Sequence, residues 1–316
     1  MREYVAIIGS GMMGSGIGAM SALAGNKTIL TDVDESRVQA GKERALSCIR
    51  LRVEQGLNTE EEAKRAQELL ETSTDTEAAA GQAKMVIEAI VENLQAKQEL
   101  FARLDQLLPE DVPICSNTSG LRITDISSKC TAHPERTITT HFWLPAHLVP
   151  LVEVVMGDKT EESIALQVRD ELKRWKKSPV LVRRDLPGQL ANRVFQAIIR
   201  ESIAIVASGL ASAEDVDTAI SCGMAMRFPE WGPLKHLDAI GLDLGLSVQE
   251  TVLPDINRDD HANDYLKKLV ADGNLGVKTG KGFYDWSKRS IEKDMQKRDQ
   301  FIIEAVKATS RLDQES

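Results

Sequence analysis

The sequence has no C-x-x-C pair. Its four cysteines, Cys48, Cys115, Cys130 and Cys222, stand far apart along 316 residues. That spacing argues against a zinc site and against a disulfide framework, and it fits reduced thiols in a cytoplasm. No apolar run is long enough to span a bilayer, and the N-terminus, MREYVAIIGSG, enters a strand pattern at once, without the layout of a signal peptide. There is no internal repeat and no low-complexity tract. Basic residues are not in excess either: 39 Lys and Arg face 48 Asp and Glu, for a net charge of -9. This argues against nucleic acid or an anionic membrane as partner, although a local basic patch remains open. What is present is an ordinary globular composition, with enough apolar residues for a core and a length that suggests two domains.

The first half alternates. YVAIIGSG, KTILTDVD, KMVIEAI, VPICSNTSG, TITTHFW, LVEVVMG and SPVLVRRD read as strands. Between most of them lie helical stretches, including a long charged one from Ser36 to about Leu70 that reads as two helices broken near QGLNTEE. Strands separated by helices imply a mostly parallel sheet covered on both faces, an α/β doubly wound arrangement. After DLPGQ the pattern is helical only, beginning with the apolar LANRVFQAIIRESIAIVASG. Pro and Gly punctuate the switch, which places a boundary near Leu186–Gly188 and two domains at 1–186 and 187–316.

GSGMMG, from Gly9 to Gly14, is a G-x-G-x-x-G with a strand before it, a helix after it and an acidic residue closing the next strand. Gly9 permits the tight turn, Gly11 lets a pyrophosphate approach, and Gly14 lets the helix pack on the strand. The helix start, with Met12 and Met13, offers free N–H groups to phosphate. Asp32 lies 18 residues past Gly14, where it can accept from the ribose hydroxyls. No Arg directly follows it, so NAD is expected over NADP. Further on, EAIVENLQAK and SNTSG close strands with polar residues, which makes Glu92, Lys97, Asn117 and Ser119 candidates for the cofactor edge and substrate. Each taken alone also reads as an ordinary helix-start acid, solvated lysine or turn residue.

Glu153 sits among Leu and Val in LVEVV, where a lone carboxylate is costly. His141 ends the preceding strand and can meet it. A carboxylate on one imidazole nitrogen fixes the tautomer, frees the other nitrogen to take a proton and stabilises the imidazolium. Beside a nicotinamide, such a base equips a site to oxidise an alcohol. A buried structural pair is the plainer alternative. His147, in the connecting loop, reads as solvated.

VIEAIVENLQAKQELFARLD, SNTSGLRITDI, HFW-P…LVEVV, LPGQLANRV, AEDVDTAI and GVKTGKGFYDW, together with the glycine fingerprint, resemble the 3-hydroxyacyl-CoA dehydrogenase superfamily over nearly the whole chain. The resemblance implies an NAD-binding Rossmann domain and a helical C-terminal domain that mediates homodimerisation. It implies that His141 is the catalytic base and Glu153 its partner, with Ser119 and Asn192 at the substrate oxygen. It also implies that Asp32, Ala89, Glu92, Lys97, Asn117 and Lys278 hold NAD.

Three departures bear on the substrate. Acyl-CoA members read H-F-F-N-P where this chain has HFWLP, so Leu144 replaces an active-site Asn. Cys48 and Gln55 fall where a Ser and a Lys meet CoA phosphate, with Arg50 and Arg52 nearby as substitutes. GMAMRFPEWGP is three residues longer than the corresponding turn and contains Arg227. That length and cation resemble relatives acting on small free hydroxy acids, such as the lambda-crystallin/L-gulonate 3-dehydrogenase type, and a guanidinium suits a carboxylate. The expectation is an NAD-dependent dehydrogenase of a short L-3-hydroxy acid, leaning to a free carboxylate gripped by Arg227. A short-chain L-3-hydroxyacyl-CoA substrate met by Arg50 or Arg52 is the runner-up, and an NAD-binding crystallin-like structural protein is the alternative of another class.

Overall fold

In the computed structural model, which describes the backbone of residues 3–315 and the side chains of residues 3–309, the short apolar runs form one eight-stranded sheet. The strands are β1 Tyr4–Ile8, β2 Lys27–Thr31, β3 Leu70–Ser73, β4 Ala83–Glu88, β5 Ile114–Ser116, β6 Thr137–Phe142, β7 Leu151–Met156 and β8 Ser178–Val182. The helices among them are α1 Met12–Leu23, α2 Glu35–Glu54, α3 Glu60–Leu69, α4 Thr76–Gly81, α5 Leu94–Leu107, α6 Ile123–Ile126 and α7 Glu162–Arg174.

The sheet order is β3-β2-β1-β4-β5-β6-β7-β8. Every pair is parallel except β6–β7, which is antiparallel. That exception has a simple cause. A parallel return needs a crossover of a dozen residues or more, and only residues 143–150 separate β6 from β7. Side chains alternate along β1: Val5 and Ile7 join one core with Ile17, Leu30 and Trp175, while Ala6 and Ile8 join another with Phe101, Leu104 and Ile114. Burial on both faces is why these strands read as unbroken apolar runs.

The expected break in the charged helical stretch lies between α2 and α3, where Thr59 and Glu62 form a reciprocal cap. β3 was not anticipated. LETS is short, polar and at the sheet edge, so it carries no apolar signature.

Two compact units divide the chain, Met1–Leu190 and Ala191–Ser316. The first extends four residues past the expected end at 186. Asp185, buried, accepts from the Thr124 N–H at 2.7 Å, which ties this stretch to the first unit. The second unit is helical: α8 Leu190–Ala207, α9 Ala213–Ala219, α10 Pro233–Ile240, α11 Leu242–Val252, α12 Asp264–Ala271 and α13 Ile291–Glu315. Its extended elements, among the described residues, are two isolated bridges at Gly276–Lys281 and Lys281–Asp285. In α13 the buried side chain among the described residues is Ile303, whereas Met295 and Phe301 stand exposed.

Candidate active site

The strand order reverses direction around β1, between β2 and β4, and ligands of such sheets bind beyond the strand ends at that point. Gly9 turns there with φ of +99°, and a Cβ on it would meet the Ala89 carbonyl oxygen at 2.5 Å. A Cβ on Gly14 would meet the Gly9 carbonyl oxygen at 1.8 Å, so α1 packs against the turn only because both residues are glycine. Gly11 differs, because a Cβ there would meet nothing within 4 Å. Its openness is on the ligand side, not the packing side. Gly11 caps α1 without a side-chain hydrogen bond, and no acidic residue lies in the first turn. The N–H groups at Met12, Met13 and Gly14 therefore face an open approach that suits pyrophosphate.

Asp32 ends β2. Its Oδ2 accepts from the Ser10 N–H and hydroxyl, both at 2.9 Å, and Oδ1 accepts from the Val33 N–H at 2.8 Å. Burial pushes this carboxyl up, but the Ser10 and Val33 hydrogen bonds outweigh it and hold the carboxyl below its ordinary value. It is an anion fixed at the strand end, suited to ribose hydroxyls. Arg37 approaches it only to 4.0 Å and lies closer to Asp34, at 3.4 Å. These residues fit a dinucleotide with an unmodified ribose.

The next strand ends form a second cluster. Glu92 Oε1 accepts from the Thr118 hydroxyl and from the N–H groups of Ser119 and Gly120 at 3.1 Å. Burial raises this carboxyl, but the Thr118 hydroxyl, the Gly120 N–H and Lys97 lower it by more. Ser119 is exposed, which leaves its hydroxyl open to a ligand. Two expected cofactor residues hold protein groups instead. Asn117 Oδ1 accepts from the Phe142 N–H at 2.9 Å, which ties this turn to the last residue of β6. Lys97 is 1% exposed and its ammonium is turned inward onto Glu88 at 2.6 Å. Its route to a ligand runs through Glu92, 3.4 Å away.

His141 and Glu153 are direct cross-strand partners on β6 and β7. The antiparallel ladder therefore brings them together without help from the loop. His141 donates from Nδ1 to Glu153 Oε2 at 2.7 Å. A carboxylate only accepts, so Nδ1 carries the proton and Nε2 presents a lone pair. Glu153 is fully buried and His141 is 7% exposed. Sequence reasoning missed Trp143, whose indole N–H donates to the same carboxylate oxygen at 3.0 Å. A Trp two residues after the His is on the same strand face, which was the available signal.

The loop after β6 corrects another expectation. Arg52, offered as a CoA-phosphate cation, is buried. Its guanidinium donates to Asn58 Oδ1 at 2.7 Å and to the His147 carbonyl. Burial lowers its pKa to about 10. It pins the loop and cannot meet a phosphate without leaving that pocket. Lys177 pins the same loop, donating to the carbonyls of Ala146 and Val149. His147 is accordingly half-buried, not solvated. Arg50 is exposed, with a hydrogen bond to the Ser47 hydroxyl at 2.8 Å. Cys48 is partly buried, its thiol pushed up to about 11 by burial, and Gln55 caps α2. Leu144 is 49% exposed.

Asn192, Lys278 and Arg227 belong to the second unit. Asn192 lies in the first turn of α8, and Lys278 is exposed in the turn closed by the Gly276–Lys281 bridge. Arg227 is exposed and lines a largely apolar cleft of about 460 Å³ with Met226, Trp231 and Phe301.

Residues 4–186 match the model of the 3-hydroxyacyl-CoA dehydrogenase NAD binding domain, and residues 188–286 match that of the 3-hydroxyacyl-CoA dehydrogenase C-terminal domain. The chain is 37% identical over 289 residues to a Bacillus subtilis protein named "Probable 3-hydroxybutyryl-CoA dehydrogenase", covering 91% of this chain and 99% of that one. Among solved structures, an NAD+-dependent dismutase, 5-formyl-3-hydroxy-2-methylpyridine 4-carboxylic acid 5-dehydrogenase, superposes with a TM-score of 0.88 at 26% identity, covering 98% of this chain and 99% of that one. The (S)-3-hydroxybutyryl-CoA dehydrogenase of Ralstonia eutropha gives 0.74 at 30% identity, covering 91% and 100%.

Proposed function

We propose, for a chain that belongs to the 3-hydroxyacyl-CoA dehydrogenase family and is thereby an NAD-dependent oxidoreductase acting on a CH–OH group, that its substrate is a short L-3-hydroxy acid presented as a free carboxylate. When bound, NAD would supply the acceptor for the carbinol hydride. His141 takes the hydroxyl proton on Nε2, and the buried Glu153 stabilises the imidazolium that forms. Ser119 and Asn192 orient the substrate oxygens. Gly9, Gly11, Met12, Met13, Gly14, Asp32, Ala89 and Glu92 frame the dinucleotide, with Lys278 on the second unit.

The observation that carries the free-acid reading is Arg227. It is exposed at a largely apolar cleft whose two carboxylates, Glu230 and Glu304, pair with Lys235 and Lys307, and its guanidinium has no ion pair among the described residues. A planar fork of donors there suits a carboxylate attached to a small apolar body. The burial of Arg52 removes one of two cations offered to CoA. The fuller superposition on a carboxylate-named relative points the same way. The exposed Arg50 and the Bacillus relative's printed name favour the thioester as the second reading.

A homodimer is part of the proposal. No residue of α8 is buried, although Val194 and Phe195 stand exposed on it, and Leu234, Leu242, Leu244 and Leu246 do so on α10 and α11. Helices this apolar need a covering surface. The four free thiols fit a reducing compartment such as the cytoplasm.

The test is initial rates of NADH formation with L-3-hydroxybutyryl-CoA, free 3-hydroxybutyrate, L-gulonate and L-carnitine, for wild type and Arg227→Ala. Preference for a free acid, with a KM raised about tenfold or more in the variant, supports the reading. Turnover of the thioester alone, unaffected by the variant, refutes it.

A further inference from the structure

Glu88 closes β4 with its side chain fully buried, and none of the chemistry derived above uses it. A buried carboxylate this well bonded is holding something. Its Oε1 accepts from Lys97 Nζ at 2.6 Å and from the Ile90 N–H at 2.7 Å, and its Oε2 accepts from the Ser116 hydroxyl at 2.6 Å. Glu88 and Ser116 are paired in register, so this oxygen also braces β4 against β5 at the ligand edge of the sheet. Lys97, on the opening turns of α5, then spans to Glu92 Oε2 at 3.4 Å. Glu92 in turn accepts from the Thr118 hydroxyl and from the Ser119 and Gly120 N–H groups. A continuous line of hydrogen bonds, with one ion pair between Lys97 and Glu92, thus runs from the end of β4 to the backbone of Ser119.

We propose that Glu88 is a positioning residue for the reaction: it fixes Lys97, which fixes Glu92, which sets the Ser119 backbone and so aims the Ser119 hydroxyl. The proposal rests on the reading of Ser119 as the residue that meets the substrate oxygen. Glu92 is the link that needs help. Its side chain is 45% exposed and would otherwise be free to turn toward water. The buried ammonium, anchored on its far side by Glu88, tethers Glu92 over the turn. A solvated lysine in that place would move with the carboxylate and fix nothing.

The experiment is a double-mutant cycle on the full chain with Glu88→Gln, Glu92→Gln and both together. It is read by kcat and, without substrate or cofactor, by hydrogen exchange of the Ser119 and Gly120 amides. Each single change is expected to lower kcat about tenfold and to speed exchange, with the double no worse than the poorer single, because groups in one line do not add. Losses that multiply to about a hundredfold, or exchange unchanged in Glu88→Gln, overturn the proposal. Should Glu88→Gln fail to fold, the paired Glu88→Met/Lys97→Met variant removes both buried charges. Recovery of the melting temperature with kcat still low supports positioning, and recovery of both makes the pair merely structural and overturns it. Exchange needs no turnover, so a wrong substrate assignment and a wrong positioning assignment give different results.

Discussion

Replacing Glu153 with glutamine keeps the shape of a fully buried side chain and removes its charge. The wild-type carboxylate lies 2.7 Å from His141 Nδ1. With charge centres about 4 Å apart and an effective dielectric of about 20, its attraction for an imidazolium is about 4 kcal/mol. Neutral His141 gains little of this, so nearly all of it belongs to the state in which the proton has arrived. The expected loss is therefore in kcat, by about a thousandfold. The KM should stay within a few-fold, because the attraction is gained only once the proton has arrived. Affinity for NADH, followed by fluorescence, should be unchanged, since the glycine loop and Asp32 stand on other strand ends. Steady-state oxidation of the best substrate, with far-UV dichroism to check folding, measures all three. A Glu153→Gln enzyme that folds and retains kcat within about threefold would show that the carboxylate does not support the base, and the proton route through His141 would have to be abandoned.

The glycine loop supports a contrasting pair. Gly11→Ala has space for its methyl, so melting should be unchanged while NADH binding weakens by about tenfold or more; Gly9→Ala meets the Ala89 carbonyl at positive φ and should lower the melting temperature itself. Arg52→Met strands the Asn58 and His147 oxygens and should cost about 2–4 kcal/mol in urea unfolding, without changing KM for a CoA thioester; a raised KM for the thioester alone would restore Arg52 as a phosphate ligand. Burial, with Arg52 nearby, pushes Lys177 down to about 7. Between that value and its ordinary 10.5 the unfolded chain binds the extra proton, so stability from this residue rises with pH, by on the order of 2 kcal/mol from pH 7 to pH 9. Urea unfolding at the two pH values should show a shallower rise in Lys177→Met, and equal slopes would refute the depressed value.

The sequence made the strand ends legible because chemistry there needs uncommon residues in apolar surroundings. Glu153 stood out among Leu and Val, and Gly9 to Gly14 had a strand and a helix around them. Roles that depend on which way a side chain turns were not legible. Arg52 and Lys97 read as exposed cations, yet both are spent inside the first unit, on backbone carbonyls and on carboxylates. A lysine's length lets it point either way, and only packing decides. The indole of Trp143 sits in a run that a strand alone explains; Glu88, in KMVIEAI, carries the same signal as Glu153, a carboxylate among apolar strand residues, but its partners Lys97 and Ser116 lie on other elements that the sequence does not connect to it. β3 was hidden because an edge strand of four residues needs no apolar face.

Because β6 and β7 are neighbours in an interior ladder, the spacing of His141 and Glu153 is set by strand register and not by the eight residues that join them, 143 to 150. The departure at Leu144 falls inside that segment. Trp143, which donates to Glu153, and the carbonyls of Ala146, His147 and Val149, held by Lys177 and Arg52, are its fixed points; Leu144, exposed between them, can change while His141 and Glu153 stay paired. Strand register thus carries the pairing of the two groups, and the surface beside them is free to differ among relatives that share it.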